Sequence, residues 1–273
     1  MANKPKDSDI LVPFEMQNFW PEYKEYLIIR RQNLFASIQM LRPLWECYRT
    51  LDQIWMREFQ DVSRIRNMEK MFPAILFLNA HAKFRIAFEL SFSCCLAEGW
   101  DALRGAIESV AHAHKIIREP HLLKVWVEKN DGKQQLESYR DAFERKKKTN
   151  LFPPVLGLDK LHQHYSQFSE WGTHTTIGSL AQRFKSIENQ TDVEWRLTYT
   201  GADPKLLATS LFSMLQASLL MENILFCIFK DRLNLDIRLS AMRAELPNRM
   251  EKARADIINR FKIAPPTIML VSG

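Results

Sequence analysis

The chain has 273 residues, of which 46% are hydrophobic, 26% charged and 11% aromatic, with only 8 glycines. That composition can fill a sizeable core, excludes a disordered or glycine-rich all-β chain, and predicts an all-α protein. The net charge of +6 permits contact with RNA or an acidic surface without requiring either.

The first ten residues, MANKPKDSDI, lead into no apolar segment of the kind a signal peptide carries, so a cytoplasmic location is expected. Residues 1–18 are read as an extended N-terminal arm, 19–235 as a single antiparallel helical bundle, and 236–273 as a basic C-terminal helix and tail. The first helix opens near Trp20, with Pro21 in its first turn. It carries Tyr23, Tyr26, Leu27, Leu34, Ile38 and Leu41 at helical spacing as far as Pro43. A second helix follows from Leu44 to Asn67, where Arg57, Arg64 and Arg66 suit a helix C-terminus.

Pro73 is expected to open a mostly apolar helix whose interior holds His81, Lys83, Arg85 and Glu89. A short break at Gly99 should fold the 100–119 helix back against it, making a central hairpin. Gly99 is read as the left-handed terminator, Asp101 as the new cap and Pro120 as the stop. Within 100–119, Trp100, Leu103, Ile107, Val110, His114 and Ile117 form a core stripe, and Arg104, Glu108, His112 and Lys115 a polar side with i, i+4 pairing.

Residues 121–148 continue as helix with a break at Asn130, Asp131 and Gly132, ending in the run Arg145, Lys146, Lys147 and Lys148. After the loop FPPVLG, a short helix from Asp159 sets Leu161, Tyr165, Phe168 and Gly172 on one stripe. Val193, Trp195, Leu197 and Tyr199 then alternate with polar residues, so a small β-hairpin near 181–200 is the expected exception to the helices. The segment LLATSLFSMLQASLLMENILFCIF is long enough for a bilayer on count alone. Gln216, Glu222 and Asn223 instead favour a buried bundle helix in which Glu222 meets an arginine, and no membrane span is expected. The last helix carries seven basic residues and is interrupted at Pro247. Cys47, Cys94, Cys95 and Cys227 sit in apolar helical patterns and are read as reduced core residues.

No Walker or dinucleotide glycine loop, nucleophile elbow, His-Glu-x-x-His or Glu-x-x-His motif occurs. His162 and His164 point apart on a helix, so no metal and no cofactor is expected. What remains is a set of polar residues: Gly99-x4-Arg104-x3-Glu108 at the start of a helix, then Tyr165-Ser166-Gln167-Phe168-Ser169 and His174. This pattern resembles uncharacterised bacterial helical proteins related to the HEPN superfamily. The resemblance implies an antiparallel bundle acting in RNA cleavage, in toxin and abortive-infection systems, or as a noncatalytic partner.

Active HEPN members carry Arg, four to six residues, then His. Here Arg104 to His112 leaves seven residues between and Arg118 to His121 leaves two. The expectation is therefore a noncatalytic interaction or defence-associated protein, with a protein partner or a second copy bound. Arg104, Glu108, His112, Tyr165, Ser169 and His174 are expected to form a polar cluster that fixes helix register or holds a phosphate. In an RNA- or nucleotide-directed enzyme, the alternative, Arg104 would bind the anion and His174 or His112 would exchange a proton. A His/Glu metal-dependent helical enzyme is a second alternative.

Overall fold

The structure, a computed structural model, describes residues 18–143, 151–173, 184–188, 193–197 and 200–262. Most of the expected arm, the run Arg145 to Lys148, His174 and the tail 264–273 lie outside the described residues. The fold is all-α. Its helices are α1 (Pro21–Met40), α2 (Arg42–Val62), α3 (Met68–Phe92), α4 (Leu96–Arg118), α5 (Leu122–Val127), α6 (Lys133–Phe143), α7 (Leu158–Phe168), α8 (Pro204–Phe229) and α9 (Ile237–Phe261). A π-helical turn, Ser169–Thr173, extends α7. Strands β1 (Phe184–Glu188) and β2 (Val193–Leu197) pair antiparallel, with Phe184 opposite Leu197 and Glu188 opposite Val193. They fall inside the stretch expected to form a hairpin, whose connecting residues 189–192 lie outside the described ones.

The hairpin of α3 and α4 is the centre. Asn79 Nδ2 donates to Ser109 Oγ at 2.9 Å, which aligns the two helices antiparallel. On the other flank of α3, α2 also runs antiparallel: Trp45 meets Phe92, Tyr48 stacks on Phe88 at 4.8 Å, and Asp52 meets His81 and Arg85. Helix α8 crosses α3, with Ser91 against Met214 at one end and Phe77 against Phe229 at the other. Helix α9 returns along α2, from Arg243 at Glu58 to Arg260 at the Met40 carbonyl. Trp55, Phe77, Phe84, Phe88, Trp100 and Phe168 are fully buried between these layers. At about 25 cal/mol per Å² of apolar area, side chains of this size supply the main driving force.

Several helix boundaries differ from the sequence reading, each for a physical reason. The turn between α3 and α4 is made at Ser93 to Cys95, where Cys94 has φ 62°, and Gly99 lies inside α4. Gly99 serves close approach instead: a Cβ there would stand 2.9 Å from the Ala87 carbonyl oxygen and 2.1 Å from Ser91 Oγ. Gly99→Ala should therefore destabilise the protein by about 1–3 kcal/mol, because a backbone oxygen cannot step aside. Urea unfolding checks this, and an unchanged midpoint would mean that the helices can part.

Asp101 does not cap α4, whose N-cap is Cys95 without a side-chain bond. Pro73 lies within α3, which begins earlier because Asn67 accepts the Glu69 N–H at 2.8 Å. Pro247 is likewise internal to α9. Among the described residues, Pro204–Arg232 is the one helical stretch apolar and long enough to cross a bilayer. Its Leu211, Met214, Leu215, Met221 and Leu225 are buried against the other helices. Cys47 and Cys95 are buried and Cys94 half-buried, whereas Cys227 is exposed rather than core, on the side of α8 turned from the bundle. Burial pushes the Cys47 thiol up to about 11, which keeps it protonated and unreactive.

Candidate functional site

The predicted cluster begins on the first turns of α4. Arg104 turns its guanidinium toward α7: Nη1 donates to Tyr165 Oη at 3.0 Å. Nε donates to Asp101 Oδ1 at 3.2 Å, with Nη2 3.1 Å from the same oxygen. The π-helical turn seals this end of the bundle. Trp171 packs on Trp100 at 5.1 Å, and a Cβ on Gly172 would stand 2.9 Å from the Ala97 carbonyl oxygen. Partial burial of Arg104 opposes its charge, but Tyr165 and Asp101 outweigh it and raise its pKa above the ordinary arginine value. Arg104 is thus a cation held between two helices, its partner on its own helix being Asp101.

His112 belongs to a different neighbourhood. It lies two turns further along α4, about 12 Å of helical rise from Arg104. It is 5% exposed, although the sequence placed it on a polar face with Lys115, which is buried too. The reason is α6, which covers that face: Tyr139 and Phe143 stack with the His112 ring, and Lys115 Nζ lies 5.9 Å from the Phe143 ring centre. His112 Nδ1 is 2.7 Å from the Glu108 main-chain carbonyl, and Nε2 is 3.0 Å from Tyr139 Oη. A carbonyl only accepts, so Nδ1 carries a proton, and Nε2 shares a hydrogen bond with the tyrosine hydroxyl, which can donate or accept. Both nitrogens are occupied by protein groups.

Tyr165 is buried beside Phe152, and the half-buried Ser169 starts the π-helical turn. Glu108 is half-buried on α4 between the Arg104 and His112 neighbourhoods. His174 lies outside the described residues. The structure therefore joins Arg104 to Tyr165 and His112 to the backbone of Glu108, and sets those two pairs apart. His162 stacks near Phe152, while His164 turns the other way to Ser213 Oγ at 3.2 Å, with burial lowering its pKa. Among the described residues no group of three His, Cys, Asp or Glu side chains could hold a metal. Among the described residues, the linings of cavities of about 480, 420 and 340 Å³ include none of Arg104, Glu108, His112, Tyr165 and Ser169.

Two polar clusters between the helices, one of them partly exposed, went unassigned in the sequence. Asp52 on α2 receives His81 Nε2 at 2.8 Å and a two-pronged Arg85, with Nε at 2.6 Å and Nη2 at 2.9 Å. Burial alone would raise Asp52, but the bonds from His81 and Arg85 prevail and hold it near 2. The second cluster joins three helices: Arg243 Nη1 from α9 binds Glu58 Oε1 of α2 at 2.6 Å and also contacts Glu222 of α8. Nη2 donates to Asn223 Oδ1 at 3.2 Å, and the guanidinium lies 3.7 Å from the Phe226 ring centre. Both carboxylates are fully buried. Burial drives Glu58 up to about 7 despite Arg243. The need of Glu222 for an arginine was readable from its apolar helix, but nothing marked Arg243 among the six basic residues of α9. No family model, curated protein or solved structure is similar enough to this chain to count as a match.

Proposed function

We propose that this chain is a noncatalytic helical interaction protein of HEPN-like type, binding a protein partner in the cytoplasm rather than processing RNA. The observation that supports the reading is the internal use, among the described residues, of the polar groups a catalyst would need. Arg104 directs Nε and Nη2 to Asp101 and Nη1 to Tyr165, and both His112 nitrogens are bonded within a buried aromatic pocket. A general acid or base has to reach its substrate's proton, and a histidine 5% exposed between Glu108 and Tyr139 does not. The surface a partner would meet is apolar: Ile75, Leu78 and Ile86 stand about half exposed on the outward side of α3, with Met56 of α2 also exposed. In this reading the β1–β2 pair is a hairpin insertion presented by the bundle.

The test is a salt-dependent RNA titration of wild type beside Arg104→Ala, with the products run on a gel. The reading expects no cleavage by either protein. It also expects Arg104→Ala to lower Tm by roughly 2–4 °C, the equivalent of about 1 kcal/mol for a lost charged hydrogen bond. Cleavage present in wild type and lost in Arg104→Ala at unchanged Tm would overturn it in favour of an RNA-directed enzyme.

A further inference from the structure

The connection between α8 and α9 carries two aliphatic side chains that the bundle leaves in water. Leu235 is 42% exposed, and Ile237, the first residue of α9, is 89% exposed. The backbone on either side of Leu235 is tied down. Asn234 N–H donates to Asp61 Oδ2 of α2 at 2.9 Å. Asp236 caps α9 by accepting the Leu239 N–H at 2.7 Å, and its other oxygen lies 3.7 Å from Arg57 Nε. Arg57 in turn meets Asp61 at 3.3 Å. The fold therefore holds both aliphatic chains where they gain nothing from burial.

The bond from Asn234 to Asp61 also sets the turn after α2 beside this connection. Arg64 and Arg66 in that turn, and Lys230, Arg232 and Arg238 around Leu235, are all exposed. None of these five cations is ion-paired. Asp61 and Asp236 are already engaged with Arg57 and the main chain, so Glu69 and Asp231 are the remaining carboxylates of residues 61–70 and 230–238.

Aliphatic side chains set among unpaired arginines and lysines suit an anionic bilayer. Its interface takes up each aliphatic chain separately, while the cations meet headgroup charge. A stable protein partner needs a continuous complementary surface of about 800 Å². Single-stranded RNA is held on aromatic platforms, which Leu235 and Ile237 do not supply.

We propose that the α8–α9 connection and the turn after α2 form a peripheral docking surface for an anionic membrane. Leu235 and Ile237 enter the headgroup boundary, and Arg64, Arg66, Lys230, Arg232 and Arg238 meet lipid phosphates and carboxylates. Helix α8 stays in the bundle, because this docking needs no span.

The test is co-sedimentation of the full chain with phosphatidylcholine vesicles, with and without about 30% phosphatidylserine. Binding is expected only with phosphatidylserine, and it should weaken as salt rises. Leu235→Ser combined with Ile237→Ser should weaken it about tenfold and keep the salt dependence, whereas Ile237→Leu should bind like wild type. Arg232→Gln combined with Arg238→Gln should weaken it about 25-fold, roughly fivefold for each cation, and flatten the salt dependence. These four residues are exposed, so the variants should keep the wild-type Tm. Equal sedimentation with both vesicles at about 50 mM salt overturns the proposal. A serine variant that binds like wild type also overturns it, reducing the effect to net charge. Tighter binding to a single-stranded RNA than to vesicles, indifferent to the serine changes, would overturn it by assigning the cations to nucleic acid. Self-association lost in the serine variant, with no vesicle binding, would overturn it in favour of a second copy. None of these failures touches the noncatalytic reading of the Arg104 cluster, because the two rest on different residues.

Discussion

Arg243→Met is expected to destabilise the fold by about 3–5 kcal/mol, the largest single effect that this structure predicts for a polar side chain. The change leaves methylene bulk in place and removes only the cation, so two fully buried carboxylates, Glu58 and Glu222, lose their shared partner. Burial already pulls Arg243 below its ordinary pKa against the pull of Glu58, a sign that the cluster is expensive to desolvate. The cluster is consequently better at fixing which helices meet than at adding net stability. Arg243→Met combined with Glu58→Leu and Glu222→Leu should recover most of the loss, because a well-packed apolar triad avoids the desolvation altogether. Urea unfolding midpoints of the single and triple variants check both statements. A single variant within about 1 kcal/mol of wild type would mean that water or another cation reaches the carboxylates.

His114 is the source of the second large effect, a loss of stability in mild acid. It lies on the core stripe of α4, 3% exposed, and its Nδ1 has no partner among the described residues. Burial first, and Arg118 second, pull its pKa from 6.5 to about 4. A folded-state pKa depressed below the unfolded value means that the unfolded chain takes up the proton first. The stability contributed by the neutral ring is complete above pH 6.5 and is lost as pH falls toward 4, reaching about 3 kcal/mol at 1.36 kcal/mol per pH unit.

Glu58 acts in the opposite sense. Its pKa, raised from 4.5 to about 7, contributes stability below pH 4.5 that is lost as pH rises through 7. The wild-type profile between these limits is therefore flattened by two opposed titrations. His114→Phe should remove the acid-side loss, and Glu58→Gln the loss on the alkaline side. Unfolding free energies at pH 5 and pH 8 for the two variants separate the contributions. A profile unchanged in His114→Phe would show that His114 is protonated in the folded protein.

Much of the architecture was legible because apolar spacing directly reports burial. The stripe Trp100, Leu103, Ile107 and Val110 is fully buried, the α3–α4 hairpin is the centre, and the break near Asn130 separates α5 from α6. The misreadings share a cause: the sequence gives local preference and not what is packed alongside. Gly99 has the residue type of a terminator and the neighbours of a close helix contact. His112 and Lys115 have polar side chains and a buried position, because Tyr139 and Phe143 arrive from a helix whose docking no local pattern encodes.

The candidate site was less legible. Arg104 and Tyr165 do meet across α4 and α7 as the spacing suggested. The pairing of Arg104 with Asp101 instead of Glu108 depends on which side of the helix α7 occupies. Arg243 and Asp52 were invisible for the same reason: their importance comes from long-range partners, Glu222 and His81, that only the assembled bundle supplies.

The central claim is that Arg104 and Tyr165 hold α4 and α7 in register rather than waiting for a substrate. The most direct measurement is a double-mutant cycle on unfolding free energy, with Arg104→Met, Tyr165→Phe and the pair. A structural bond predicts that each single variant is destabilised, with a favourable coupling of about 1 kcal/mol between the two positions. Zero coupling, together with an Arg104→Met protein more stable than wild type, would contradict the claim. That pattern is expected of a residue kept for chemistry at the expense of the fold.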